Sequence, residues 1–139
     1  MMDEGVVKKI LGEARTIAVV GLSKNPQKAA HSVPKYMQQQ GYQIIPVNPS
    51  ATEVLGEKCY PSLAELPTGA RIDVVNVFRP GEDCDDVVRQ ALQLGPKPKL
   101  IWLQLGIENE EARRLSKEAG VEFVQDECIY VVHQRHFHR

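Results

Sequence analysis

Almost wholly apolar, β-branched runs alternate with amphipathic stretches along this chain. Thr16–Val20 (TIAVV) suits a strand covered on both faces. Runs of similar character recur at residues 42–47, 73–78, 100–103 and 121–124. The stretches between them carry helical periodicity. Ala29, Ala30, Val33, Tyr36 and Met37 line one face of residues 28–40, and Val87, Val88, Ala91 and Leu92 one face of residues 83–94. A third such helix is predicted over residues 109–119, N-capped by Asn109, and a short one over residues 6–12. Pro34 lacks an N–H, so it favours a helix that starts near Ser32 and leaves residues 25–31 as loop. Residues 56–61 form a turn-rich link, Ser62 with Glu65 makes a capping box, and residues 128–132 are expected as one further extended segment.

Strands alternating with helices across short gaps predict an α/β, Rossmann-like three-layer fold with a mostly parallel five-stranded sheet. The 139 residues suit a single domain, with residues 134–139 as a polar C-terminal tail. In such sheets ligands bind outside the carboxyl ends of the strands. Here those ends are residues 21–25, 48–50, 78–80, 104–106 and 126–128, and the polar and special residues of the chain gather there.

Composition narrows the classes of function. A net charge of −1 leaves no broad basic field for nucleic acid. No apolar run approaches a membrane span and no signal peptide is visible, so a cytoplasmic protein is expected. Cys59, Cys84 and Cys128 are widely spaced, which points to neither a disulfide framework nor a zinc site. His133, His136 and His138 share a ligand-like spacing without a companion Cys or acidic ligand, and are expected as a solvated tail rather than a metal site.

At the first strand end, Gly21, Leu22 and Ser23 offer backbone amides and a hydroxyl to a pyrophosphate, with Lys24 and Lys28 adding charge. A Cβ at Gly21 is expected to block that ligand while leaving the domain folded. The second strand ends in Asn48-Pro49, where an NAD-binding domain carries a carboxylate for the ribose hydroxyls; a neutral Asn48 suits a phosphorylated ribose. Phe78 offers an apolar wall for a base, or core packing. Arg79 offers a phosphate grip, or an ion pair with Glu82 or Asp83. Trp102 and Gln104 supply an aromatic platform and an amide, with core packing the equal alternative for Trp102. Cys128 follows two acidic residues, Asp126 and Glu127, which disfavour a thiolate nucleophile, and no catalytic constellation is evident.

These residues, taken together, resemble a known family. The segments IAVVGLSKNPQKAAHSVPKYMQQQGYQIIPVNP, EVLGEKCYPSLAELP, IDVVNVFRP, IWLQLGIENEEA and DEC occur in the order found in small stand-alone CoA-binding proteins. Those proteins are similar to the nucleotide-binding domain of the succinyl-CoA synthetase alpha subunit. The resemblance implies coenzyme A or an acyl-CoA as ligand, with the pyrophosphate on residues 21–23. It further implies adenosine contacts near Asn48, Pro49, Phe78 and Arg79, and the pantetheine arm toward Gln104 and Gly106; Cys128 joins this set. Relatives commonly read Asp-Arg-Cys where this chain has Asp126-Glu127-Cys128, and a basic residue where it has Ser50. The synthetase's phosphorylated histidine lies outside the matched region, so ligase activity does not carry over. The rival functions are an enzyme using NAD(P) or an acyl-CoA, and a ligand-free interaction module.

Overall fold

A computed structural model describes residues 2–137. Five strands, β1 (Thr16–Val20), β2 (Gln43–Val47), β5 (Val74–Val77), β6 (Leu100–Leu103) and β7 (Glu122–Val124), form one parallel sheet in the order β2-β1-β5-β6-β7. This is the expected three-layer α/β architecture. The strands alternate their side chains between two cores. Ile17, Val19, Val74, Leu100 and Trp102 pack on one side with α1 (Glu4–Glu13), α2 (Ala29–Gln39) and α5 (Ile129–Phe137). Ala18, Val20, Val75, Val77, Ile101 and Leu103 pack on the other with α3 (Cys84–Ala91) and α4 (Glu110–Glu118).

Register decides where the chemistry sits. Val20 pairs with Val47 and with Val77, and Val77 pairs with Leu103. The next residues, Gly21, Asn48, Phe78 and Gln104, therefore stand in one row at the carboxyl edge. The connections after β1 and β5 lead to α2 and α3 on opposite faces, which opens a crevice between those two strand ends.

Four local expectations are corrected. α2 begins at Ala29, not near Ser32, and carries Pro34 inside it. A proline there frees the carbonyl four residues back, that of Ala30, and this oxygen accepts from Ser23 N–H at 3.0 Å. The proline thus ties the loop after β1 to the helix instead of ending it. Residues 53–58, read as a plain link in their second half, contain a small antiparallel hairpin, β3 (Glu53–Val54) and β4 (Glu57–Lys58). Its turn residues Leu55 and Gly56 both have positive φ, the geometry of a tight two-residue hairpin. Ser62 and Glu65 bracket only a single 3-10 turn, Leu63–Glu65, with no side-chain cap to the backbone.

The fourth correction is α5, which replaces the expected extended segment at 128–132 and the first part of the polar tail; His138 and Arg139 lie outside the described residues. Among the described residues no group of three or more His, Cys, Asp or Glu is placed to hold a metal. Nor is any described helix long and apolar enough to cross a membrane. His133 is buried, its Nδ1 3.1 Å from Tyr36 Oη on α2. The rings of Tyr42 and Phe137 also pack on it, and His136 is the neighbouring titratable group on its own helix. Burial, helped by the charge of His136, pushes the His133 pKa below its ordinary value. The unfolded chain then takes up this proton first, so stability is lost as pH falls from about 6.5 toward the lowered folded-state value. Thermal unfolding at pH 7.5 and 5.5 checks this. The loss on acidification should shrink in His133→Gln, and an identical loss in both proteins would assign it to other groups.

Candidate functional site

The crevice is bounded by two loops built differently. On the α2 side, residues 21–28 are held by their own backbone. Gly21 N–H donates to Val47 O at 2.8 Å, and Ser23 N–H is committed to Ala30 O. Asn25 Oδ1 accepts from Gln27 N–H at 2.9 Å, and Lys28 N–H returns to Asn25 O at 3.0 Å. His31 Nδ1 lies 2.7 Å from Ser23 O; the carbonyl can only accept, so Nδ1 is the donor in this bond.

These bonds correct the expected roles of the loop amides. Gly21 and Ser23 have already spent their N–H groups, and Leu22 is a fully buried core residue. What remains is the Ser23 hydroxyl proton, its oxygen accepting from Asn25 N–H at 3.0 Å, and the N-terminus of α2. The N-cap Lys28 gives no side-chain cap and the first turn has no acidic residue. Ala29 and Ala30 N–H have no partner among the described residues. By contrast, Asp3 caps α1 and Asn109 caps α4, each with an acidic first turn. An open helix N-terminus with Lys24 and Lys28 exposed beside it is an anion-favouring environment. The signal for it in the sequence was the lack of any Ser, Thr, Asp or Asn directly before residue 29, unreadable once the helix start was set at Ser32.

On the α3 side lies a concavity of about 420 Å³, lined by Gly21, Pro49, Leu63, Arg79 and Val87 and rimmed by Glu82, Asp83, Asp85 and Asp86. It brings together three expected site residues, Gly21, Pro49 and Arg79. Arg79 pairs with Asp83 at 3.0 Å, as its alternative reading held, and both side chains are about 40% exposed (40% and 42%). An exposed pair of this kind contributes about 0–1 kcal/mol, so it yields readily to a stronger partner. The acidic rim disfavours phosphate and suits a neutral group with N–H donors.

Asn48 sits between the two loops as a clamp. Its Nδ2 donates to Leu22 O at 2.9 Å and its Oδ1 accepts from Ser50 N–H at 2.8 Å. Phe78 is half-buried and packs against the α2-side core. Trp102 is wholly buried, its Nε1–H donating to Glu127 O at 2.7 Å, which assigns it to packing rather than to an aromatic platform. Gln104 is also buried; its Oε1 accepts from Ile129 N–H at 3.2 Å and Asn76 Nδ2 at 3.4 Å, while Nε2 has no partner among the described residues. Gly106, at φ +83°, donates its N–H to Asp126 Oδ1 at 2.7 Å, and Cys128 is half-buried in the turn before α5.

A larger concave surface, about 520 Å³, lies elsewhere, along the β7 edge. It is lined by Arg113, Lys117 and Glu127 among others. Topology and the open α2 terminus outweigh size in locating the site, because this groove stands away from the β1–β5 switch. It takes in Glu127, the residue at which the chain departs from the Asp-Arg-Cys pattern.

A family model for the CoA binding domain matches residues 15–134. The uncharacterized protein YneT of Bacillus subtilis is 44% identical over 127 residues, covering 91% of each chain. The solved structure of cell-free ID.343 from Thermus thermophilus superposes with a TM-score of 0.90 at 40% identity, covering 98% of this chain and 100% of that one. The alpha subunit of the ADP-forming acetate–CoA ligase II of Pyrococcus furiosus is 28% identical over 127 residues. That match takes in 85% of this chain but only 27% of the ligase subunit.

Proposed function

The chain belongs to the CoA binding domain family, and from that premise we propose that it binds coenzyme A, free or acylated, non-covalently across the β1–β5 crevice. The open N-terminus of α2 carries the reading. It offers the Ala29 and Ala30 amides, the Ser23 hydroxyl and two lysines to the pyrophosphate, with no acidic residue in the first turn. Adenine would take the neighbouring concavity, where the acidic rim can accept from its exocyclic amine, and Arg79, released from its exposed pair with Asp83, is the cation available to the ribose phosphate. The arm then runs over Phe78 toward Gln104 and Gly106, past the half-buried Cys128. The reading is one of binding without catalysis of its own: delivery, sensing or a subunit role.

Asn48 argues against NAD on its geometry as well as its charge. Its side-chain oxygen is uncharged and already accepts from Ser50 N–H, so it offers the ribose hydroxyls of NAD far less than the carboxylate an NAD site carries there. Calorimetry with CoA, dephospho-CoA, NAD and NADP tests the proposal. CoA should bind tightest. Dephospho-CoA should be about tenfold weaker, the worth of one charge-assisted contact. Tighter binding of NAD than CoA would overturn the reading.

A further inference from the structure

Among the described residues, Leu105 is the most exposed large apolar side chain, at 66%. It stands at the carboxyl edge of the sheet, on a loop that is tied down at each neighbour. Gln104 is locked by the Ile129 and Asn76 contacts, Gly106 N–H is held by the Asp126 carboxylate, and Ile107 N–H returns to Gln104 O at 3.0 Å. The core gains nothing from a leucine here. Its backbone is fixed so that the side chain is presented rather than tucked away.

The surroundings narrow what it meets. β6 lies two strands from β1, about 10 Å across the sheet, a gap the pantetheine arm spans. Glu108, Asp126 and Glu127 belong to the same two segments, and neither residues 104–112 nor residues 122–132 contain a Lys or Arg. An apolar knob whose own segments carry carboxylates and no Lys or Arg favours an uncharged apolar group over a carboxylate. We infer that Leu105 is the specificity-determining contact for the acyl group of a neutral, short-chain acyl-CoA. The inference rests on the CoA reading above: the phosphates on α2 orient the thioester toward β6.

Calorimetry of the full chain with CoA, butyryl-CoA and succinyl-CoA, for wild type and Leu105→Ser, tests it. A methylene leaving water tightens binding by at most about fourfold, so partial cover by one leucine should make butyryl-CoA about three- to tenfold tighter than CoA. Succinyl-CoA should bind no better than CoA. In Leu105→Ser the butyryl preference should fall within about twofold while CoA affinity stays unchanged; the residue is exposed, so the core is untouched. Equal wild-type affinities for CoA and butyryl-CoA, or equal weakening of both by the substitution, would overturn the inference and leave the CoA site standing. Binding of none of the three ligands would overturn both.

Discussion

Replacing Gly21 by alanine should lower the stability of the domain by about 2 kcal/mol and weaken CoA at least about tenfold. Gly21 has φ +90°, a region that L side chains rarely adopt. A Cβ there would lie 3.0 Å from Phe78 O and 3.2 Å from its carbonyl carbon. Those are backbone atoms of the neighbouring strand end, itself fixed by Phe78 N–H donating to Val20 O at 2.8 Å. Relaxing φ to a negative value would break the Gly21 N–H bond to Val47 O. The strain therefore has no inexpensive exit: one response moves the β1 end away from β5, the other away from β2. From the sequence, a side chain here is expected to spare the fold; the approach of Phe78 backbone atoms makes it costly to the fold as well. Urea unfolding and calorimetry with CoA check both effects. An unchanged unfolding midpoint together with unchanged affinity would remove Gly21 as a constraint on either.

The sheet was legible because its strands are buried on both faces. A run such as Thr16–Val20 can satisfy its apolar side chains in few other ways, and the row of strand ends follows from register. α5 was misread for an equally physical reason. Ile129-Tyr-Val-Val132 has the β-branched and aromatic content of a strand, yet tertiary contacts overrule that propensity. Gln104 takes the Ile129 N–H, Trp102 holds Glu127 O, and Ile129 and Val132 enter the core as a helical pair. Of the candidate site, Gly21, Pro49 and Arg79 were found as neighbours of one concavity. The use of the loop amides was not legible, since it depends on an Ala30 carbonyl freed by a proline inside a helix. Pro34 was visible in the sequence, but reading it as a helix start hid the partner it creates.

Gln104→Leu should destabilise the domain by about 2–4 kcal/mol, because two buried donors lose one acceptor at once and each orphaned group costs about 1–3 kcal/mol. The donors are Ile129 N–H at 3.2 Å and Asn76 Nδ2 at 3.4 Å, the latter keeping a second contact with Trp102 O at 3.4 Å. The orientation of the Gln104 amide is dictated chemically: Ile129 N–H can only donate, so the oxygen must face it and Nε2 must face away. This divides the residue into a structural half and a half free to donate to a carbonyl of the pantetheine arm. Gln104→Glu separates them. It keeps an acceptor for Ile129 N–H but replaces the free donor with an oxygen that repels the same carbonyl. The expected pattern is a fall in Tm on the order of 10 °C for Gln104→Leu. Gln104→Glu should retain more stability yet weaken CoA by about tenfold. If Gln104→Glu instead binds CoA as wild type does, the free amide half does not meet the ligand, and Gln104 acts only by holding the start of α5 against the sheet.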